Sequence, residues 1–125
     1  MFDHLSLGVR DLTAARRFYD AFFAPLGVAA SVVSEKELAY GPGGVGGHLY
    51  LYPVQGDQVA GLGTHIAFTA GSRAEVNAAY AAAVAAGAEP VRPAGLHPDI
   101  SPDYYGCVLF DPDGNKLEIV AGTMH

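Results

Sequence analysis

Positive charge is scarce in this chain: 7 Lys and Arg stand against 13 Asp and Glu, for a formal net charge of −6. Nucleic acids and anionic membrane surfaces attract clustered cations, so both are argued against as main partners. Cysteine is nearly absent. Cys107 has no second cysteine with which to oxidise, so no internal disulfide forms, and it reads as a small buried residue. No apolar run approaches the roughly 20 residues that span a bilayer. A basic segment followed by an apolar stretch, the mark of a secretory leader, is also missing, so the expected location is the cytoplasm. Charged residues make up only 16% of the chain and hydrophobic ones 50%, which excludes disorder. A chain of 125 residues fits one domain, 1–125, and buries a core without disulfides or a structural metal.

What the sequence has is the same pattern written twice. His4, in Phe2-Asp3-His4-Leu5-Ser6-Leu7, and His65, in Gly63-Thr64-His65-Ile66-Ala67-Phe68, are 65 − 4 = 61 residues apart. Asp11 and Ser72 share that offset (72 − 11 = 61), each placed to cap a helix, and so do Tyr19 and Tyr80 (80 − 19 = 61). Two modules, about 1–55 and 62–122, follow from this, and packing them about a pseudo-twofold axis brings equivalent positions together.

Within the first module, residues 2–8 alternate as a half-buried strand, with Leu5 and Leu7 on one face and His4 and Ser6 on the other. After Asp11 the apolar positions Leu12, Ala15, Tyr19, Phe22 and Leu26 recur at helical spacing until Pro25 and Gly27 end the pattern. Short strands are expected over 29–34, 37–41 and 48–54, separated by Glu35-Lys36 and a glycine-rich stretch from Gly41 to Gly47. The second module repeats the order: a strand over 64–69, an alanine-rich helix over 72–86, and a strand near Glu89–Arg92. A loop over 93–103 with three prolines comes next, placed to cover a site. A hairpin follows: Tyr104–Phe110, the turn Asp111-Pro112-Asp113-Gly114, and Asn115–Ala121. The fold class is α+β, built from paired βαβββ modules.

Aligning the last strand of each module sets Leu49-Tyr50-Leu51 against Leu117-Glu118-Ile119. The apolar neighbours face the helices, so Tyr50 and Glu118 point to the opposite face, and the same parity carries His4 and His65 there. A carboxylate among Leu117, Ile119 and Val120 is costly to bury unless something pairs with it, and only Lys116 is a cation on that face. A divalent cation held by His4, His65 and Glu118 supplies the pairing. The competing reading of the same residues is a polar cavity without metal. His48 shares the face of Tyr50, and Tyr104 and Tyr105 stand where they could stack on a substrate. Asp111 and Asp113 are accounted for by their turn.

The paired modules, His4 and His65 opening each half, and the run Asp111-Pro112-Asp113-Gly114-Asn115-Lys116-Leu117-Glu118 resemble the vicinal oxygen chelate superfamily, the glyoxalase/bleomycin resistance/dioxygenase proteins. The resemblance covers essentially the whole chain. It implies a cup-shaped mixed sheet around a divalent metal (Fe, Mn, Zn or Ni), with His4, His65 and Glu118 at the ligand positions and helices on the outer face. It also implies a homodimer in which the first module of one chain pairs with the second of the other, so that His4 meets His65 and Glu118 across the interface. Tyr50 occupies the position where lactoylglutathione lyases carry a fourth, carboxylate or amide, ligand. The implied function is a metal-dependent lyase, isomerase or ring-cleaving dioxygenase that chelates a small metabolite through vicinal oxygens and stabilises an enolate or catecholate. Glu118 and Tyr50 are then the catalytic candidates, and Tyr50, His48, Tyr104 and Tyr105 the substrate-binding ones. The alternative is a metal-free small-molecule or antibiotic binding protein of bleomycin-resistance type.

Overall fold

The alternation and helical spacing resolve into β1 (Leu5–Val9), α1 (Leu12–Phe23) with a 3-10 turn at Ala24–Leu26, β2 (Val28–Val33), β3 (Leu38–Pro42) and β4 (Leu49–Pro53). The second module follows as β5 (His65–Ala70), α2 (Arg73–Ala85), β6 (Glu89–Leu96), β7 (Tyr105–Phe110) and β8 (Lys116–Ala121). The computed structural model describes residues 4–56, 60, 61 and 63–122; Phe2 and Asp3 of the first strand, and the C-terminal His125, lie outside the described residues.

Both helices start where their caps stand. The Asp11 carboxylate accepts from the amides of Thr13 and Ala14 at 2.8 and 3.2 Å. Ser72 Oγ accepts from the amide of Glu75 at 3.1 Å. Each satisfies amide donors that the first helical turn leaves without partners.

Each module forms a mixed four-stranded sheet, in the orders β1-β4-β3-β2 and β5-β8-β7-β6. β1 runs parallel to β4 and β5 parallel to β8, and the remaining pairs are antiparallel. The repeat extends to the register: Ser6 lies opposite Tyr50, and Ala67, 61 residues after Ser6, lies opposite Glu118. Tyr50 and Glu118 are therefore equivalent positions of the two sheets.

The two modules share one core. α1 buries Ala15, Phe18, Tyr19, Phe22 and Phe23, whereas α2 buries only Val76, Ala79 and Ala83. Aromatic bulk from α1 fills what the slender α2 leaves, with Phe22 and Phe23 meeting Phe68 of β5 at ring separations of 5.6 and 5.1 Å. Cys107 is fully buried on the helix side of β7, and burial pushes its thiol up to about 11. On the side away from the helices, the open face, His65, Ala67 and Thr69 along β5 are exposed, while Val108 of β7 and Val120 of β8 are nearly covered.

The turn between β7 and β8 ties the modules together. Asp111 is 3% exposed and accepts four hydrogen bonds: from the amides of Asp113 and Asn115, from Asn115 Nδ2, and from the Tyr19 hydroxyl of α1 at 2.6 Å. Asn115 Nδ2 also donates to the Gly8 carbonyl of β1, and Arg10 binds the Asp113 side chain through both its amide and its guanidinium.

One expectation is corrected. The segment expected as a loop over 93–103 is strand up to Leu96. β6 is one of the two outer strands of its sheet, and its pairing with β7 shifts between Pro90 and Arg92 and again between Arg92 and Gly95. An outer strand with irregular pairing accommodates proline, which cannot donate to a ladder.

Candidate functional site

Glu118 sits at the centre of the open face of the second sheet because β8 is an inner strand, with β5 on one side and β7 on the other. Its side chain is 12% exposed. Lys116, two residues earlier, lies directly opposite His65. His65 Nε2 approaches Glu118 Oε1 to 3.7 Å, longer than a hydrogen bond. His65 Nδ1 lies 3.2 Å from the Gly63 carbonyl. A carbonyl only accepts, so the ring proton of that contact belongs to Nδ1, and in the neutral form of the ring it is Nε2 that presents its lone pair toward the carboxylate. Two electron-rich atoms that face each other across such a gap suit a cation held between them, and a histidine anchored through its second nitrogen has the usual orientation of a metal ligand.

The other carboxylate oxygen is taken. Tyr104, 3% exposed, donates its hydroxyl to Glu118 Oε2 at 3.0 Å. Burial holds this phenol well above the ordinary tyrosine range, and the hydrogen bond and charge of Glu118 add to that. The His97 ring packs against the Tyr104 ring at 5.8 Å, and the His97 amide donates to the Tyr104 carbonyl. Arg92 stands on the same row of the sheet, since it pairs with Val108 and Val108 with Glu118. Its guanidinium forks onto Asp99 at 3.1 and 2.8 Å.

In the first sheet, His4 packs edge-on against Tyr50 with ring centroids 5.3 Å apart, and Tyr50 stacks on Tyr52 at 6.1 Å. His4 and His48 line a pocket of about 240 Å³ together with Leu5, Leu49 and the β5 residues Ile66, Ala67 and Phe68. A larger depression of about 650 Å³ beside the start of α1, between Arg10 and Pro53, contains none of the candidate residues.

The structure thus brings His65, Glu118 and Tyr104 together on one sheet, and His4, His48 and Tyr50 together on the other. Among the described residues, no group of three or more His, Cys, Asp or Glu is gathered within this chain. Tyr105 lies on the helix side of β7: its hydroxyl donates to Asn77 of α2 and Arg73 sits over its ring, 4.8 Å from the centroid. The Tyr104 contact to Glu118 was missed by sequence reasoning. Strand parity was the available signal, because Tyr104 and Val108 are an even number of residues apart and Val108 lies opposite Glu118.

The family model of the Glyoxalase/Bleomycin resistance protein/Dioxygenase superfamily matches residues 1–119. Among solved structures, a glyoxalase/bleomycin resistance protein from Albidiferax ferrireducens is 30% identical, with a TM-score of 0.81 over 98% of this chain and 99% of that one. A glyoxalase-related enzyme from Fulvimarina pelagi is 27% identical, with a TM-score of 0.73 over 98% and 88%. The fosfomycin resistance protein FosX from Listeria monocytogenes, in its complex with Mn(II) and sulfate, shares the fold at 22% identity, with a TM-score of 0.70 over 99% and 91%. The comparison with curated proteins gives no match. No helix among the described residues is long and apolar enough to cross a membrane.

Proposed function

The chain belongs to the glyoxalase/bleomycin resistance protein/dioxygenase superfamily, and on that premise we propose that it is a divalent-metal-dependent enzyme acting on a small oxygenated metabolite. One observation carries the reading: His65 Nε2 and Glu118 Oε1 face each other at 3.7 Å, while the remaining atoms of both groups are engaged by Gly63 and Tyr104. The third ligand is His4. Because the chain holds His4 on its other open sheet face, the reading includes a homodimer in which the partner subunit's His4 completes the set.

When bound, the metal supplies Lewis acidity toward two neighbouring oxygens of the substrate and stabilises negative charge that develops on them. The rest belongs to this chain. Glu118, the carboxylate of the ligand set, is the candidate for moving a proton at the reacting carbon in a lyase or isomerase. Tyr50 holds the position equivalent to Glu118 on the first sheet and offers its hydroxyl to a substrate oxygen. His48 lines a pocket with His4, and Tyr50, stacked on Tyr52, offers an aromatic surface beside it.

The test is a metal count on purified protein, with His4→Ala and Glu118→Gln beside the parent. Near-stoichiometric Mn, Fe, Zn or Ni in the parent that falls in both variants supports the enzyme reading, and the metal's identity separates redox from Lewis-acid chemistry. A parent that takes up none of these after reconstitution sinks the reading and leaves the metal-free binding protein.

A further inference from the structure

We propose that Tyr104 is a positioning residue that restricts Glu118 to one free oxygen and so sets which cations the site accepts. The inference rests on the metal-centre reading above and deepens it. Tyr104 immediately precedes β7, and its hydroxyl reaches Glu118 Oε2 only by folding back over residue 106. Residue 106 is glycine. A Cβ there would lie 2.7 Å from the Tyr104 hydroxyl oxygen and 2.9 Å from Cζ, and would run into the Ile119 carbonyl. Its φ lies outside the left-handed region, so backbone conformation does not demand glycine here; the Ile119 carbonyl of the neighbouring strand and the space the phenol occupies together do. His97 also packs against the ring, with centroids 5.8 Å apart. The phenol is thus held by a gap in one strand and a histidine from the adjoining loop, with its hydroxyl directed at a single carboxylate oxygen.

The consequence lies in coordination chemistry. With Oε2 accepting the phenol proton, Glu118 offers a cation only Oε1, the oxygen beside His65. Small transition ions that accept imidazole and a single carboxylate oxygen fit such a donor set. Ca²⁺, which takes six to eight oxygens and often both oxygens of a carboxylate, does not. Removing the phenol hydroxyl while keeping the ring frees Oε2 and relaxes that discrimination.

The experiment titrates Mn(II) and Ca(II) separately into metal-free parent, Tyr104→Phe, Tyr104→Ala and Glu118→Gln, following Mn(II) by electron paramagnetic resonance and Ca(II) by calorimetry. The expected result is a strong preference of the parent for Mn(II). In Tyr104→Phe, Mn(II) affinity falls by about 10- to 100-fold, the usual effect of losing a hydrogen bond to a ligand, while Ca(II) affinity holds or rises. Tyr104→Ala reproduces the loss of preference. A general loosening of the fold would lower both affinities together, so the Mn(II)/Ca(II) ratio separates positioning from packing. An unchanged ratio in Tyr104→Phe, with the parent binding Mn(II) and Glu118→Gln failing to, overturns this inference alone. A parent that binds no Mn(II) overturns the metal reading and this inference with it.

Discussion

Asp111 shows how much a single side chain can carry without touching a reaction. Its two oxygens hold the turn before β8, the amide of Asn115 and the hydroxyl of Tyr19, and Asp111, Asn115 and Tyr19 are all buried. Tyr19→Phe removes one donor from a buried charged acceptor and is expected to cost about 1–3 kcal/mol at neutral pH, read by urea unfolding. The same pair gives a pH dependence. Burial first, then the charge of and hydrogen bond to Asp111, raise the Tyr19 phenol well above its ordinary value. The native state therefore keeps this proton more tightly than the unfolded chain does. The contribution is complete below about pH 10, the ordinary tyrosine value, and declines as pH rises beyond it. Unfolding curves from pH 8 to 11 are expected to show an alkaline loss of stability that is shallower in Tyr19→Phe; equal slopes would disprove the assignment. None of this was legible beforehand. Asp111 and Asp113 were read as turn residues, and so they are, but their partners Tyr19 and Arg10 lie 92 and 103 residues away, beyond any local pattern.

Elements were more legible than contacts, because they follow from short-range rules. The caps at Asp11 and Ser72, the two helices and the β7–β8 hairpin stand where spacing and turn chemistry put them. Asp11→Ala and Ser72→Ala are each expected to lower stability by about 1 kcal/mol, measured by thermal unfolding. Gly114→Ala in the hairpin turn is expected to cost about as much or more, because its φ of 90° is one that side chains rarely adopt. Residues 93–96 were misread because proline density was taken as a loop signal, whereas an outer strand tolerates prolines where its pairing is already irregular. Tyr105 was read as substrate-facing from its aromatic ring and its place at the mouth of a strand; its neighbours Asn77 and Arg73 on α2 hold it on the other face.

At the scale of the whole molecule, the repeat of 61 residues is carried into the sheet register, so Tyr50 and Glu118 are one position used in two ways. Strand parity therefore shows which side of its own sheet Tyr50 or Glu118 takes, but the single face expected to gather His4, His65 and Glu118 is divided between two sheets within this chain. His4 and the His65–Glu118 pair lie on separate sheets, and uniting them is a question of assembly. Mixing His4→Ala and Glu118→Gln subunits decides it. In a shared-site dimer, one site of each mixed dimer receives an intact His4 from one chain and intact His65 and Glu118 from the other. After exchange of equal amounts, about a quarter of the parent's metal per chain is expected to return, as random pairing of two-fold dimers requires. No recovery would place all three ligands in one subunit or refute the set. The outer strands bear on assembly in another way. β2 is irregular between Ala30 and Val32, and β6 is irregular with Pro90 and Pro93 in it. Along β6 the two prolines interrupt the row of amide donors, so that rim is a poor template for strand addition, whereas β1 and β5 at the opposite rims pair in regular register. The prolines that mimic a loop in the sequence thus leave one margin of the second sheet unable to take up a further strand.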